Sequence, residues 1–219
     1  MKKGLTELVF ILDKSGSMSG TESDTIGGYN AMLQKQKDGT GQCHITTALF
    51  DNHYELLHDR IDIRAVNNMT AAEYFVGGST ALLDAIGTTI TKISSAQKHT
   101  SEEYRAEKVM FVIITDGEEN ASREYSAELV KQLIERHKQE FGWEFIYLGA
   151  NIDAVAAAGS IGIKADRVQN FRSDRAGVRL NYCVMSEAVS AFRESDKLPE
   201  DWDEEIRLDY ERRGKKRKS

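Results

Sequence analysis

An open, doubly wound α/β sheet of about six strands, mostly parallel, with helices on both faces and one antiparallel edge strand, follows from the spacing of apolar residues along this chain. Residues 7–12 (Glu-Leu-Val-Phe-Ile-Leu), 109–114 (Val-Met-Phe-Val-Ile-Ile) and 143–148 (Trp-Glu-Phe-Ile-Tyr-Leu) are nearly unbroken apolar runs. Such strands are covered on both faces. Helical patterns lie between them, clearest at 124–139, where Leu129, Val130, Leu133 and Ile134 recur at helical spacing among Glu, Lys and Gln. Segments 43–50 and 54–63 are separated only by Asp51, Asn52 and His53, a hairpin spacing that makes one edge strand antiparallel.

Helices are predicted near 22–37, 80–97, 124–140, 151–159 and 175–194, with a last short strand near 166–171. With 219 residues, 40% of them hydrophobic, and no Pro- or Gly/Ser-rich interruption before residue 195, the chain reads as one domain over 1–195. From Asp196 it becomes strongly charged, and 196–219 reads as a frayed tail.

The first apolar run is broken by Thr6 and Glu7 and ends at Asp13, so it reads as a buried strand rather than a secretory signal. No window has the run of about 18 apolar residues that a membrane span needs. Cys43 and Cys183 match no metal or redox spacing and read as small buried hydrophobes in a reducing compartment, which points to the cytoplasm. The Asn120-Ala121-Ser122 sequon is then a chance match. Net charge is −6, yet Arg212, Arg213, Lys215, Lys216, Arg217 and Lys218 crowd the C-terminus with no aromatic interleaved; this basic run reads as a solvated terminus rather than a nucleic-acid contact.

Two buried strands end in an aspartate inside a polar, glycine-bearing turn: Asp13-Lys14-Ser15-Gly16-Ser17 and Thr115-Asp116-Gly117-Glu118. In an open parallel sheet, ligands bind where strands deliver their C-terminal ends. A carboxylate there needs a compensating partner. A loop leaving a strand can turn alternate side chains toward one point, so Asp13, Ser15 and Ser17 are able to share a target. Aspartate with hydroxyls is a hard-oxygen donor set, suited to Mg²⁺, Mn²⁺ or Ca²⁺ and poorly suited to zinc. Gly77-Gly78-Ser79-Thr80 opens a helical run; taken alone, Ser79 or Thr80 reads as an N-cap.

Taken together, the three segments resemble the metal-ion-dependent adhesion site of the von Willebrand factor A family, which includes the integrin inserted domains. Val9 to Met18 matches the Asp-x-Ser-x-Ser motif, Gly78-Ser79-Thr80 the threonine loop, and Ile113-Ile114-Thr115-Asp116-Gly117 the aspartate loop. All the motif positions are occupied. The resemblance extends over about the first 195 residues by order of elements, but only the loops are specific. It implies that Ser15, Ser17 and Thr80 offer hydroxyls, and Asp13 and Asp116 carboxylates, to one divalent cation. That cation, Mg²⁺ first, would coordinate a Glu or Asp of a partner protein. The resemblance also implies movement of the last helix, near 175–194, as a switch, although packing alone explains its apolar positions. Bacterial relatives often serve as accessory subunits of AAA-type ATPases, which is a second reading of function.

An enzyme is the main competing class. Phosphatases of the haloacid dehalogenase type place a second aspartate two residues after the first; Ser15 stands there, which removes the general acid. No Gly-x-x-x-x-Gly-Lys-Ser/Thr motif occurs, and an EF-hand read from Asp116 meets Ala121 where glycine is required. The five histidines, at 44, 53, 58, 99 and 137, have no ligand spacing. Glu118 and Glu119 read as a solvated acidic rim able to select a partner by charge.

Overall fold

A computed structural model describes residues 1–215. Its strands are β1 (Lys2–Asp13), β2 (Gln42–Phe50), β3 (Tyr54–Asp62), β4 (Ala106–Thr115), β5 (Glu144–Ala150) and β6 (Val168–Phe171). The helices are α1 (Glu22–Asp38), α2 (Leu82–His99), α3 (Ala127–Phe141), α4 (Ala154–Ser160), α5 (Arg175–Ser195) and α6 (Glu204–Lys215). The strands form one sheet in the order β3-β2-β1-β4-β5-β6, with only β3 antiparallel to its neighbour. The expected fold class is therefore the observed one.

Alternation along β1 builds both layers. Leu8, Phe10 and Leu12 join a core under α1 and α5, whereas Val9 and Ile11 join a second core under α2, α3 and α4. The hairpin between β2 and β3 closes through Asp51, whose carboxylate accepts from the His53 backbone N–H at 2.6 Å. Ser126 caps α3 by accepting from the Leu129 backbone N–H, and Gly142 ends it in the left-handed conformation at φ 65°.

The C-terminal segment differs from the sequence expectation. Leu198, Trp202 and Ile206, only 8%, 7% and 2% exposed, join the core under α5, and α6 packs against β6. The Trp202 indole donates to the Asp166 carbonyl at 3.0 Å. Arg213 donates to both carboxylate oxygens of Asp174. Burial of those apolar side chains outweighs the charge density that suggested fraying. Arg213 of the basic run is thus engaged within the protein, and Lys216, Arg217 and Lys218 lie outside the described residues. Cys43 is buried as expected, and burial pushes its thiol up to about 12. Cys183 is exposed, because it sits on the side of α5 turned from the sheet toward a groove shared with α1. No described helix is long and apolar enough to cross a membrane.

Candidate metal centre

Chain direction explains where the site lies. From β1 the chain moves to β2 on one side, and from β4 to β5 on the other, so the C-terminal ends of β1 and β4 flank the point where strand order reverses. Asp13 ends β1 and Asp116 follows the last residue of β4. Both are buried.

Asp13 is held on three sides. One carboxylate oxygen, Oδ1, accepts from the Ser15 backbone N–H at 2.7 Å, and Oδ2 accepts from the Thr115 hydroxyl at 2.6 Å. The Tyr74 hydroxyl donates to the Asp13 carbonyl at 2.6 Å. After Ser15 a short 3-10 turn, Gly16–Met18, folds the chain back and sets Ser17 Oγ 3.0 Å from Ser15 Oγ. Thr80 Oγ1 donates to Ser15 Oγ at 3.0 Å. The three hydroxyls therefore form one contiguous row beside Asp13.

Thr80 is not the N-cap of α2: Ala81 occupies that position, and the Thr80 hydroxyl is turned into the site. Its placement depends on the loop after β4. Asn120 Oδ1 accepts from the Thr80 N–H, while the Asn120 and Ala121 N–H groups donate to the Thr80 carbonyl. On its other side the Gly78 carbonyl accepts from the Gly16 N–H at 3.1 Å. Gly78 has φ 72°, and a Cβ there would fall 2.1 Å from Asn52 Oδ1, so this close approach requires glycine.

Asp116 completes the arrangement. Its Oδ2 accepts from the Ser173 hydroxyl at 3.3 Å, whereas the buried Oδ1 has no hydrogen-bond partner. Burial raises the Asp116 carboxyl above its usual range, opposed by the Ser17 and Ser173 hydroxyls and reinforced by the charge of Asp13. Asp13 is likewise raised by burial, opposed by the Ser15 and Thr115 hydrogen bonds. Two charge-repelling carboxylates with an unpartnered buried oxygen call for a positive partner.

Gly117 stands directly against two of the hydroxyls. A Cβ added there would stand 2.9 Å from Ser17 Oγ and 3.0 Å from Thr80 Oγ1. The donor set beside it is two carboxylates and three hydroxyls; among the described residues no group of three or more His, Cys, Asp or Glu is placed to hold a metal. Such hard, weakly charged donors fit a Mg²⁺-class ion. Asp13, Ser15, Ser17, Thr80 and Asp116 are thus brought close together at the C-terminal edge of the sheet.

The rim differs. Glu118 is exposed, but the Glu119 carboxylate is turned inward, accepting from the backbone N–H groups of Leu83, Ala121 and Ser122 and from the Ser122 hydroxyl. Orphan N–H groups at the start of α2 make that the better place for the charge. Sequence reasoning gave no role to Tyr74, Asn120 or Ser173, and named Thr115 only within a motif. Ser173 follows the C-terminal end of β6, a position that strand-end logic could have singled out; Tyr74 arrives from an irregular loop and carried no signal.

No protein-family model matches the chain, and no curated protein does. Solved structures do. A zinc-occupied form of proximal thread matrix protein 1 from the mussel byssus superposes with a TM-score of 0.56 at 14% identity, over 85% of this chain and 46% of that one. Manganese-loaded TRAP protein of Plasmodium vivax gives 0.58 at 15% identity, over 82% and 73%. The SpRpn10 VWA domain gives 0.52 at 12% identity, over 82% and 94%. The chain spans less than half of the mussel protein's length. Identities this low establish architecture alone, and that architecture is the fold of the von Willebrand factor A domains.

Proposed function

We propose that this protein is a divalent-cation-dependent protein-binding domain without catalysis, in which Asp13, Ser15, Ser17, Thr80 and Asp116 hold one cation, Mg²⁺ in the first place. The observation that carries the reading is Asp116 Oδ1, buried and unpartnered beside a row of three hydroxyls. A metal-occupied adhesion-site motif in the mussel protein and a manganese-loaded neighbour support it. A cation held mostly by neutral hydroxyls stays electron-poor, so it would supply Lewis acidity toward a Glu or Asp carboxylate of a partner. This chain's residues do the positioning: Thr115 and the Ser15 N–H orient Asp13, Ser173 orients Asp116, and Asn120 fixes Thr80. Exposed Glu118 would disfavour partners whose surface around the bound carboxylate is acidic. The free cysteines keep the cytoplasm as the proposed compartment.

Thermal melting with Mg²⁺, Mn²⁺ or EDTA tests the reading in the wild type, in Asp13→Ala, and in Ser17→Ala, whose side chain is exposed and adds little to the fold. An ion bound only by the folded state raises stability by about 2.7 kcal/mol at a hundredfold excess over Kd. The expected result is a metal-dependent rise in wild type, reduced in Ser17→Ala and absent in Asp13→Ala. Equal midpoints in metal and EDTA for the wild type would refute it.

A further inference from the structure

Beside the metal centre a cavity of about 350 Å³ opens between the start of α2, the loop after β4 and helix α4. Its walls are mainly apolar: Leu82, Leu83, Ile152, Ala156 and Ile161. Gly117 and Glu118 form one edge, and Gly117 also stands against the Ser17 and Thr80 hydroxyls, so the cavity and the donor groups meet at that residue. Tyr147 of β5 also lines it. That side chain is fully buried, and its hydroxyl has no hydrogen-bond partner. A buried hydroxyl left unpaired costs on the order of 1–3 kcal/mol, which a ligand able to reach it would recover.

We propose that this cavity is a side-chain pocket for the same partner segment that presents a carboxylate at the metal, and that it takes an aromatic residue with a polar tip, tyrosine or tryptophan. The proposal rests on the metal-dependent reading above. An extended segment advances about 3.3 Å per residue, so a residue about two or three positions from the acidic one reaches across Gly117 into the cavity. Leu82, Leu83 and Ile152 favour a mostly apolar occupant; the Tyr147 hydroxyl favours one with a hydrogen-bonding end. Tyrosine and tryptophan combine the two and anchor interfaces at low entropic cost. Glycine at 117 leaves no side chain between the two subsites.

Selection of a display library of random dodecapeptides on the full chain in Mg²⁺, with elution by EDTA, tests this directly. The expected peptides carry one Asp or Glu with a Tyr or Trp about two or three residues away. Fluorescence polarisation of a selected peptide then compares the wild type with Ala156→Trp, which fills the cavity from an exposed helix position, and with Tyr147→Phe. Ala156→Trp is expected to weaken binding by about tenfold or more while its Mg²⁺-induced thermal shift stays unchanged, and Tyr147→Phe to weaken it less. Metal-dependent acidic peptides with no aromatic preference, bound equally by Ala156→Trp, overturn the pocket and leave the metal reading intact. Peptides that lack an acidic residue or survive EDTA, or a library that yields no binder, overturn both.

Discussion

The Thr115 hydroxyl donates to Asp13 Oδ2 across 2.6 Å, so the last residue of β4 fixes the carboxylate that ends β1. Both residues are buried, which shields that bond from solvent. Thr115→Val keeps the shape and removes the donor, leaving a buried carboxylate short of a partner. The expected loss is about 1–3 kcal/mol in EDTA, read from urea unfolding, together with a smaller Mg²⁺-induced rise in midpoint. Thr115→Ser should retain most of both. Full stability in Thr115→Val would mean the bond contributes nothing.

Gly117→Ala separates fold from site. The backbone at Gly117 lies outside the left-handed region, so alanine meets no conformational objection. Its methyl group would, however, stand 2.9 Å from Ser17 Oγ and 3.0 Å from Thr80 Oγ1. In EDTA the gain of about 0.4–1 kcal/mol from restricting the unfolded chain is opposed by the cost of displacing those two hydroxyls, so the midpoint is expected to stay level or fall. The Mg²⁺ response should disappear. A full metal shift in this variant would place the cation elsewhere.

Midway along β1, Glu7 is fully buried, accepting from Arg60 Nε at 2.9 Å and Gln97 Nε2 at 3.3 Å, with Oε1 unpartnered. Burial pushes its carboxyl from 4.5 up to about 7, against the opposing charge of Arg60. Between those values the folded state holds a proton that the unfolded chain releases, so stability falls as pH rises from about 4.5 to about 7 and levels off above. Glu7→Gln should flatten that segment. Urea midpoints of the two proteins across the window check it, and parallel curves would rule out Glu7 as the titrating group.

Trp202 makes the C-terminal segment part of the fold, and Trp202→Ala should cost about 3–5 kcal/mol by thermal or urea unfolding. A variant of unchanged stability would return the segment to the status of a tail. Leu198, Trp202 and Ile206 recur every fourth residue, yet Pro199 and the surrounding acids hide the stripe, and what buries it lies in α5 and β6. Local pattern made β1, β4 and β5 legible, since an unbroken run such as Val109 to Ile114 has one natural use. Asp13 and Asp116 were legible for a related reason: each follows directly from a strand whose end faces the ligand edge. Tyr74, Asn120 and Ser173 reach the site by tertiary approach, and Glu119 turned inward because backbone N–H groups of a distant helix lay within reach. Spacing along a chain carries no trace of such contacts.

Asp116 distinguishes a site kept for binding from one kept for stability. Its Oδ1 is buried without a partner and its charge is opposed by that of Asp13, so in the absence of a cation the carboxylate costs the fold free energy. Asp116→Asn preserves shape and the contact with Ser173 while removing the charge. In EDTA near neutral pH its midpoint is therefore expected to equal or exceed that of the wild type. In saturating Mg²⁺ the wild type should be the more stable, because only it gains the binding free energy. That inversion is the signature of a residue whose stabilising partner is the ion. If Asp116→Asn melts lower by the same amount in both conditions, Asp116 is a structural acceptor for Ser173 and the metal centre must be sought without it.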